Sequence, residues 1–329
     1  MVRHPDRVRT RAYLAWAFVC LVWGTTFLAM RICLETVPPL LMGGLRYTAA
    51  GLLIIVWVLA RGQSLPSVRA WPSLAVLGAL MLGLGNGGVV WAEQTVASGL
   101  TAVLVAMNPF WMVGCDALTP PREPLSVRRV IGLVVGFSGI VLLVWPEMHV
   151  KGESGFLEGI FASQIACIGW AVGSMYSRRR GHGEAKDESV LATAAYQMLF
   201  GGICLLLAGF AIGEGSRLTF NPRTGGALLY LILFGAVAGF TAYAYALKHL
   251  PIATVSLYAY VNPLIAVALG TVILKEPLNP RLAIVATVVL VGIALVKTEA
   301  RRTSVAEFAE SAESAEPAEP FPRAPRALR

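Results

Sequence analysis

Asn108-Pro109-Phe110 leads to Arg122-Glu123-Pro124-Leu125, and Asn262-Pro263-Leu264 leads to Lys275-Glu276-Pro277-Leu278, the same order of residue types in each half of the chain. Both Asn-Pro steps sit in long apolar runs. Proline has no N–H and its ring displaces the carbonyl four residues earlier, so the carbonyls of Val105 and Ala259 are expected to lose their helical partners. A freed carbonyl beside an amide side chain can take up an ammonium, amide or hydroxyl group. The other use of such a step is a kink whose polar groups are satisfied by neighbouring helices. Two copies at matching places favour binding, because paired Pro-interrupted apolar segments in two halves point to a site between them. Glu123 and Glu276 each precede the last apolar run of their half, where a carboxylate can cap that helix's N-terminus.

Ring chemistry is duplicated as well. Trp23 and Trp170 each follow a cysteine, Cys20 or Cys167, by three residues. Their rings can stack on a planar ligand or hold a cation, or can pack against lipid or a neighbouring helix. Asn86, Trp91, Ser174, Gln197, Tyr243 and Tyr258 add polar and aromatic groups that can line a cavity or join helices. Arg46 and Glu93 are ionisable residues within or at the end of apolar runs. Such groups are costly in a bilayer and either pair or face water. Arg46 can recognise a carboxylate or hold helices together; Glu93 can carry a proton in a coupled cycle or sit at the membrane interface.

These groups need a scaffold, and composition identifies it. Of 329 residues 56% are hydrophobic and 14% charged, with a mean hydropathy of +0.67, well beyond an ordinary soluble domain. Ten apolar runs are long enough to cross a hydrocarbon core about 30 Å thick as helices. They cover residues 13 to 33, 38 to 60, 72 to 92, 97 to 118, 127 to 145, 157 to 177, 189 to 212, 225 to 247, 251 to 273 and 281 to 297. A transmembrane barrel would need in-out alternation, which Gly51-Leu52-Leu53-Ile54-Ile55-Val56 lacks. The expected fold is therefore an all-α integral membrane protein of ten transmembrane helices.

Connections of a few residues make neighbouring helices antiparallel. Five crossings per half bring the second half in from the opposite side, so the halves are expected to be inverted repeats about an axis in the membrane plane. Asn108 lies eleven residues after Ala97 and Asn262 eleven after Pro251, about 16 Å along each helix. Both reach the midplane. Arg46, eight residues after Pro38, lies about 12 Å deep.

With the N-terminus inside, seventeen lysines and arginines fall on the inner segments and six on the outer loops. This bias predicts both termini in the cytoplasm, with the net charge of +8 serving orientation and anionic lipid. Residues 1–12 are then a cytoplasmic N-terminus. The first apolar run continues through Trp23-Gly24-Thr25-Thr26-Phe27 without a signal-peptide cleavage pattern. Residues 146–156 form an outer connection. Residues 298–329, with Glu307, Glu310, Glu313, Glu316 and Glu319 among Ala, Ser and Pro, are expected to be a disordered cytoplasmic tail.

Other chemistry is missing from the sequence. It has no Gly-x-x-x-x-Gly-Lys-Ser/Thr phosphate loop, so ATP hydrolysis by this chain is not expected. His4, His149, His182 and His249 are scattered, and the five cysteines stand singly, so neither metal nor disulfide spacing is present. No catalytic residue and no cofactor is assigned. The expected partners are a small-molecule substrate and the lipid bilayer; nothing calls for nucleic acid or an ATPase subunit, and oligomeric state is not legible.

In this order the chain resembles the ten-helix EamA family of the drug/metabolite transporter superfamily, most closely its YedA-type branch. The resemblance rests on Trp23-Gly24-Thr25-Thr26-Phe27, Pro38-Pro39 with Arg46, Gly85-Asn86-Gly87 with Ala92-Glu93, and the two Asn-Pro to Glu-Pro blocks. Gly169-Trp170-Ala171 with Gly173-Ser174-Met175-Tyr176, and Tyr258-Ala259-Tyr260-Val261-Asn262-Pro263, carry it into the second half. It implies two five-helix EamA repeats, here 13–145 and 157–297, in a cytoplasmic (inner) membrane. It also implies a carrier, commonly an exporter of amino acids, related metabolites or toxic compounds, with a central cavity between the repeats. The alternatives are a channel or facilitator without ion coupling, and a membrane-embedded enzyme, for which no acid, base or metal cluster is legible.

Overall fold

The computed structural model describes residues 5–118, 127–147, 154–181, 189–250, 252–255, 257–276, 280, 283–288 and 290–291. Among them every regular element is helical. In chain order these are α1 (Pro5–Cys33), α2 (Pro39–Ala60), α3 (Trp71–Leu77), α4 (Gly87–Ala92), α5 (Ser98–Val105), α6 (Asn108–Leu118) and α7 (Val127–Glu147). The second half supplies α8 (Ser154–Gly181), α9 (Val190–Ala211), α10 (Pro222–Tyr230), α11 (Gly239–His249), α12 (Ile252–Val255) and α13 (Tyr258–Ile273). Two π-helical stretches, Gly78–Asn86 and Leu231–Ala238, join α3 to α4 and α10 to α11 as continuous helices.

Seven described stretches are long and apolar enough to cross a bilayer: Arg7–Cys33, Pro39–Ala60, Val68–Ala92, Ser98–Cys115, Gly155–Ser177, Val190–Ala211 and Pro222–Ala246. They coincide with the first four expected runs and the sixth to eighth. Shorter apolar helices, Val130–Gly139 and Val261–Ile273, fall within the fifth and ninth. Of the tenth, residues 283–288 and 290–291 are helical. Arg122-Glu123-Pro124-Leu125, most of the 146–156 connection, the tail from residue 298 and the side chain of Asp116 lie outside the described residues.

The most extensive packing joins the halves through α2 and α9. Small residues set the separation: a Cβ on Gly51 would lie 2.8 Å from the Ala195 carbonyl oxygen and the Leu199 nitrogen, and one on Gly202 would lie 2.5 Å from the Thr48 nitrogen. With lipid as apolar as the side chains, such close backbone approach is what draws membrane helices together. Both helices end in the same way, with Gly62 (φ 65°) after α2 and Gly213 (φ 80°) after α9 in the left-handed region that favours glycine.

After Gly213 the buried Glu214 carboxylate accepts from the Leu41 N–H at 2.9 Å, capping the N-terminus of α2. Glu276 does the same for α5, accepting from the Ser98 N–H (3.0 Å), the Ser98 hydroxyl (2.9 Å) and the Gly99 N–H (3.4 Å). This corrects the expectation that Glu276 caps the last helix of its own half. The turn after α13 sends it elsewhere: Lys275 takes φ 55° and the Glu276 N–H returns to the Gly270 carbonyl at 3.0 Å. The carboxylate of one half then meets orphan N–H groups of the other. Glu276→Ala is therefore expected to lower stability by about 1–2 kcal/mol, read as a fall in the thermal midpoint of the detergent-purified protein, with Glu276→Gln intermediate.

Candidate functional site

The Trp23-Gly24-Thr25-Thr26-Phe27 segment is a junction of three helices. Trp23 Nε1 donates to the Gly235 carbonyl at 3.1 Å, in the second π-helical stretch. A Cβ on Gly24 would lie 2.7 Å from Ile265 Cβ, so glycine admits α13. The Thr25 hydroxyl bonds the Tyr230 hydroxyl at 2.5 Å and α10 is tied in. On α1 these residues follow one another at about 100° per residue, which is why adjacent side chains reach different neighbours.

Around Trp23 an aromatic group assembles. Its ring centroid is 5.0 Å from Tyr258, edge-on, 5.2 Å from Tyr243 and 5.3 Å from Phe240. Such tilted and edge-to-face pairs follow the ring quadrupoles and fix the walls. In the second half Gly169 faces the Leu80 carbonyl, where a Cβ would be 2.8 Å away, and Trp170 stands against Gly85. Each tryptophan thus abuts the π-helical third span of the opposite half, where the wider turn leaves backbone groups available for other partners.

The two Asn-Pro steps are held crosswise by the cysteine positions. With its amide nitrogen turned to the carbonyls, Asn262 donates to the Tyr258 carbonyl (3.0 Å) and across to the Cys20 carbonyl (3.1 Å). On the other side the Cys167 thiol lies 3.7 Å from the Val105 carbonyl and 3.8 Å from that of Leu104. The carbonyl that proline leaves without a helical donor is therefore met by a weak thiol donor. The copies differ in backbone. The helix is interrupted at 106–107 just before Asn108, whereas Pro263 lies inside α13, whose own break is at residue 257.

One cavity of about 150 Å³ collects these elements. Asn108, Asn262, Trp23, Trp170, Tyr258 and Asn86 line it, together with Arg46. All seven come from the residues singled out by sequence. Of the others, Tyr243 backs Trp23 and Tyr258, while Pro109, Pro263, Trp91, Ser174 and Gln197 are not among the lining residues. Trp91 is 38% exposed on the outside of the helical body. Thr26, Phe27, Met30, Tyr47, Cys167 and Phe240 complete much of the wall and were not read as cavity residues. For Thr26, Phe27 and Met30 the signal was present, since they continue the helix face begun by Trp23 at i+3, i+4 and i+7.

The polar groups in this wall are few. Arg46 is 4% exposed, and its guanidinium lies over the Tyr47 ring at 4.8 Å with Nη1 3.6 Å from Met30 Sδ. The Asn108 side-chain oxygen is buried without a hydrogen-bond donor. Glu93 is fully buried towards one end of the helical body; Arg31 donates to its backbone carbonyl, and neither carboxylate oxygen has a partner. Glu93 is not among the cavity-lining residues. Among the described residues no group of His, Cys, Asp and Glu could hold a metal ion.

The EamA-like transporter family matches residues 10–145 and again residues 157–298. The chain belongs to this family. Its two repeats account for the paired tryptophans, π-helical stretches and Asn-Pro steps, and the chain is a membrane transporter built from them. It is 36% identical over 265 residues to YedA of Escherichia coli, described as an uncharacterized inner membrane transporter, covering 79% of this chain and 81% of YedA. YvbV of Bacillus subtilis, an uncharacterized transporter, is 26% identical over 91% of this chain and 95% of its own length. A WAT1-related chloroplastic protein of Arabidopsis thaliana is 26% identical over 83% of this chain and 66% of its own. In fold, the EamA chain is similar to a crystal structure of TM-score 0.60 and 22% identity that covers 89% of it and 99% of that chain.

Proposed function

We propose that this EamA-family chain is a secondary transporter that exports amino acids or related small metabolites or drugs by alternating access. The two inverted repeats, 13–145 and 157–297, would rock about the cavity between them, in the inner membrane with both termini in the cytoplasm. The observation that carries this reading is convergence: Asn108 and Asn262, with Trp23 and Trp170, meet at a single cavity although they come from opposite halves. A cavity served equally by both repeats can be exposed to either side by tilting one against the other. At about 150 Å³ the cavity suits a small metabolite. The test is counterflow in proteoliposomes with purified protein and a panel of labelled amino acids, nucleobases and cationic drugs. Saturable exchange is expected; linear, non-saturable passage would instead support a channel or facilitator.

Energy coupling has a candidate in Glu93. Its buried carboxyl has no hydrogen-bond partner and lies within electrostatic range of Arg31, Glu276 and Arg46. A carboxyl in that setting can be charged and neutral by turns as the protein changes state. Glu93→Gln is expected to abolish the pH dependence of net transport while exchange continues. Unchanged pH dependence in that variant would show that Glu93 is not the proton carrier.

A further inference from the structure

Arg46 is where the cavity departs from a plain aromatic box. The residue is buried, with only 4% of its surface exposed. A guanidinium has five N–H donors and never sheds its charge in a protein. Here Nη1 meets only the thioether of Met30, Nε has no partner, and the cation rests on Tyr47. The ion pair formed among the described residues is Arg223 with Glu35 at 3.0 Å, on the exposed surface, and Arg46 has no carboxylate within ion-pair distance. A buried guanidinium with most of its donors unused is costly unless an anion completes it.

Another group in the lining is complementary. The Asn108 side-chain oxygen is buried and receives no hydrogen bond, so it is an acceptor awaiting a donor. In the same lining Trp23, Trp170, Tyr258 and Phe240 supply ring faces and edges. Gly235 keeps the space that Arg46 occupies: a Cβ there would lie 3.1 Å from Arg46 Nη2.

From this the geometry points to Arg46 as the receptor of a substrate carboxylate, making the transported class small organic carboxylates whose remainder is apolar or aromatic. An amino or hydroxyl group on the same molecule would reach Asn108. The planar fork of arginine matches the two oxygens of a carboxylate, a pairing that an ammonium or a carboxamide cannot reproduce. Cationic drugs are disfavoured by the same charge. This inference rests on the cavity being the transport site.

The test uses purified full-length protein with lactate, leucine and phenylacetate, each beside its own carboxamide, and tetramethylammonium as a cation. Thermal protection in detergent reads binding, and counterflow in proteoliposomes reads transport. In the wild type each carboxylate is expected to protect at a concentration at least about tenfold lower than its carboxamide. In Arg46→Gln that preference should fall below about threefold, with Arg46→Lys in between because it keeps charge without the fork. Carboxamides or the cation protecting the wild type as well as the carboxylates would overturn the inference, as would an undiminished preference in Arg46→Gln. If Arg46→Gln fails to fold, the wild-type ranking decides alone. Counterflow of neutral or cationic compounds without carboxylates would overturn this inference and leave the transporter standing. Protection by carboxylates without exchange of any compound would support Arg46 as the receptor and overturn transport instead.

Discussion

Gly202→Val is expected to abolish recovery of folded protein. A Cβ at this position would sit 2.5 Å from both the backbone nitrogen and the hydroxyl of Thr48, and 3.0 Å from the Gly44 carbonyl. Two of those three neighbours are backbone of α2, which cannot rotate away as a flexible side chain can. The helices would have to separate along the contact that joins the two halves most extensively. Overpacking a tight core costs about 1–3 kcal/mol, and a rigid backbone obstacle lies at or beyond the upper end. The measurement is the yield of monodisperse protein in mild detergent, with its thermal midpoint. Gly225→Ala and Gly226→Ala, where a Cβ meets nothing within 4 Å, should behave as wild type.

Asn262→Leu should remove transport while the chain still inserts and elutes as the wild type does. The substitution keeps most of the volume but removes the amide nitrogen that reaches the Tyr258 and Cys20 carbonyls. Leaving buried acceptors without donors costs about 1–3 kcal/mol each, softened here because Tyr258 keeps other helical possibilities. The same amide ties α13 to α1 at the wall of the cavity, so both the lining and its registration change. Counterflow is expected to fall at least about tenfold, the equivalent of about 1.4 kcal/mol in the transport cycle. Trp170→Ala should lower it comparably through loss of the ring wall facing Gly85. Wild-type counterflow in both variants would remove this cavity as the transport site.

Much of this architecture is legible in the sequence. Long apolar runs must be helices in lipid because no water satisfies their backbone, and seven of those runs stand as span-length helices. Duplicated Asn-Pro and Cys-x-x-Trp patterns announced two related halves, and the family match over both halves agrees. Depth counting along helices brought Asn108 and Asn262 to the midplane and Arg46 well inside its span, and all three line one cavity. Counting failed for residues whose role depends on rotation about the helix axis. Trp91, Ser174 and Gln197 sit at plausible depths outside the cavity lining, whereas Thr26, Phe27 and Met30 line it on the helix face that Trp23 begins.

The Glu-Pro elements mark the boundary most clearly. The chain's order of residues places Glu276 beside the last helix of its half, and local rules assign it there. The folded backbone turns at Lys275 with φ 55° and delivers the carboxylate to Ser98 and Gly99 of the other half. Likewise, nothing in the string of residues says that the Cys167 thiol answers the Val105 carbonyl or that Arg46 is left without a carboxylate. Periodicity, hydropathy and repeats are properties of segments, so the sequence by itself determined the membrane class, the helices and their duplication. Which side chains meet is a property of how those helices cross, so partners, orphaned groups and the shape of the cavity were decided only by the tertiary structure.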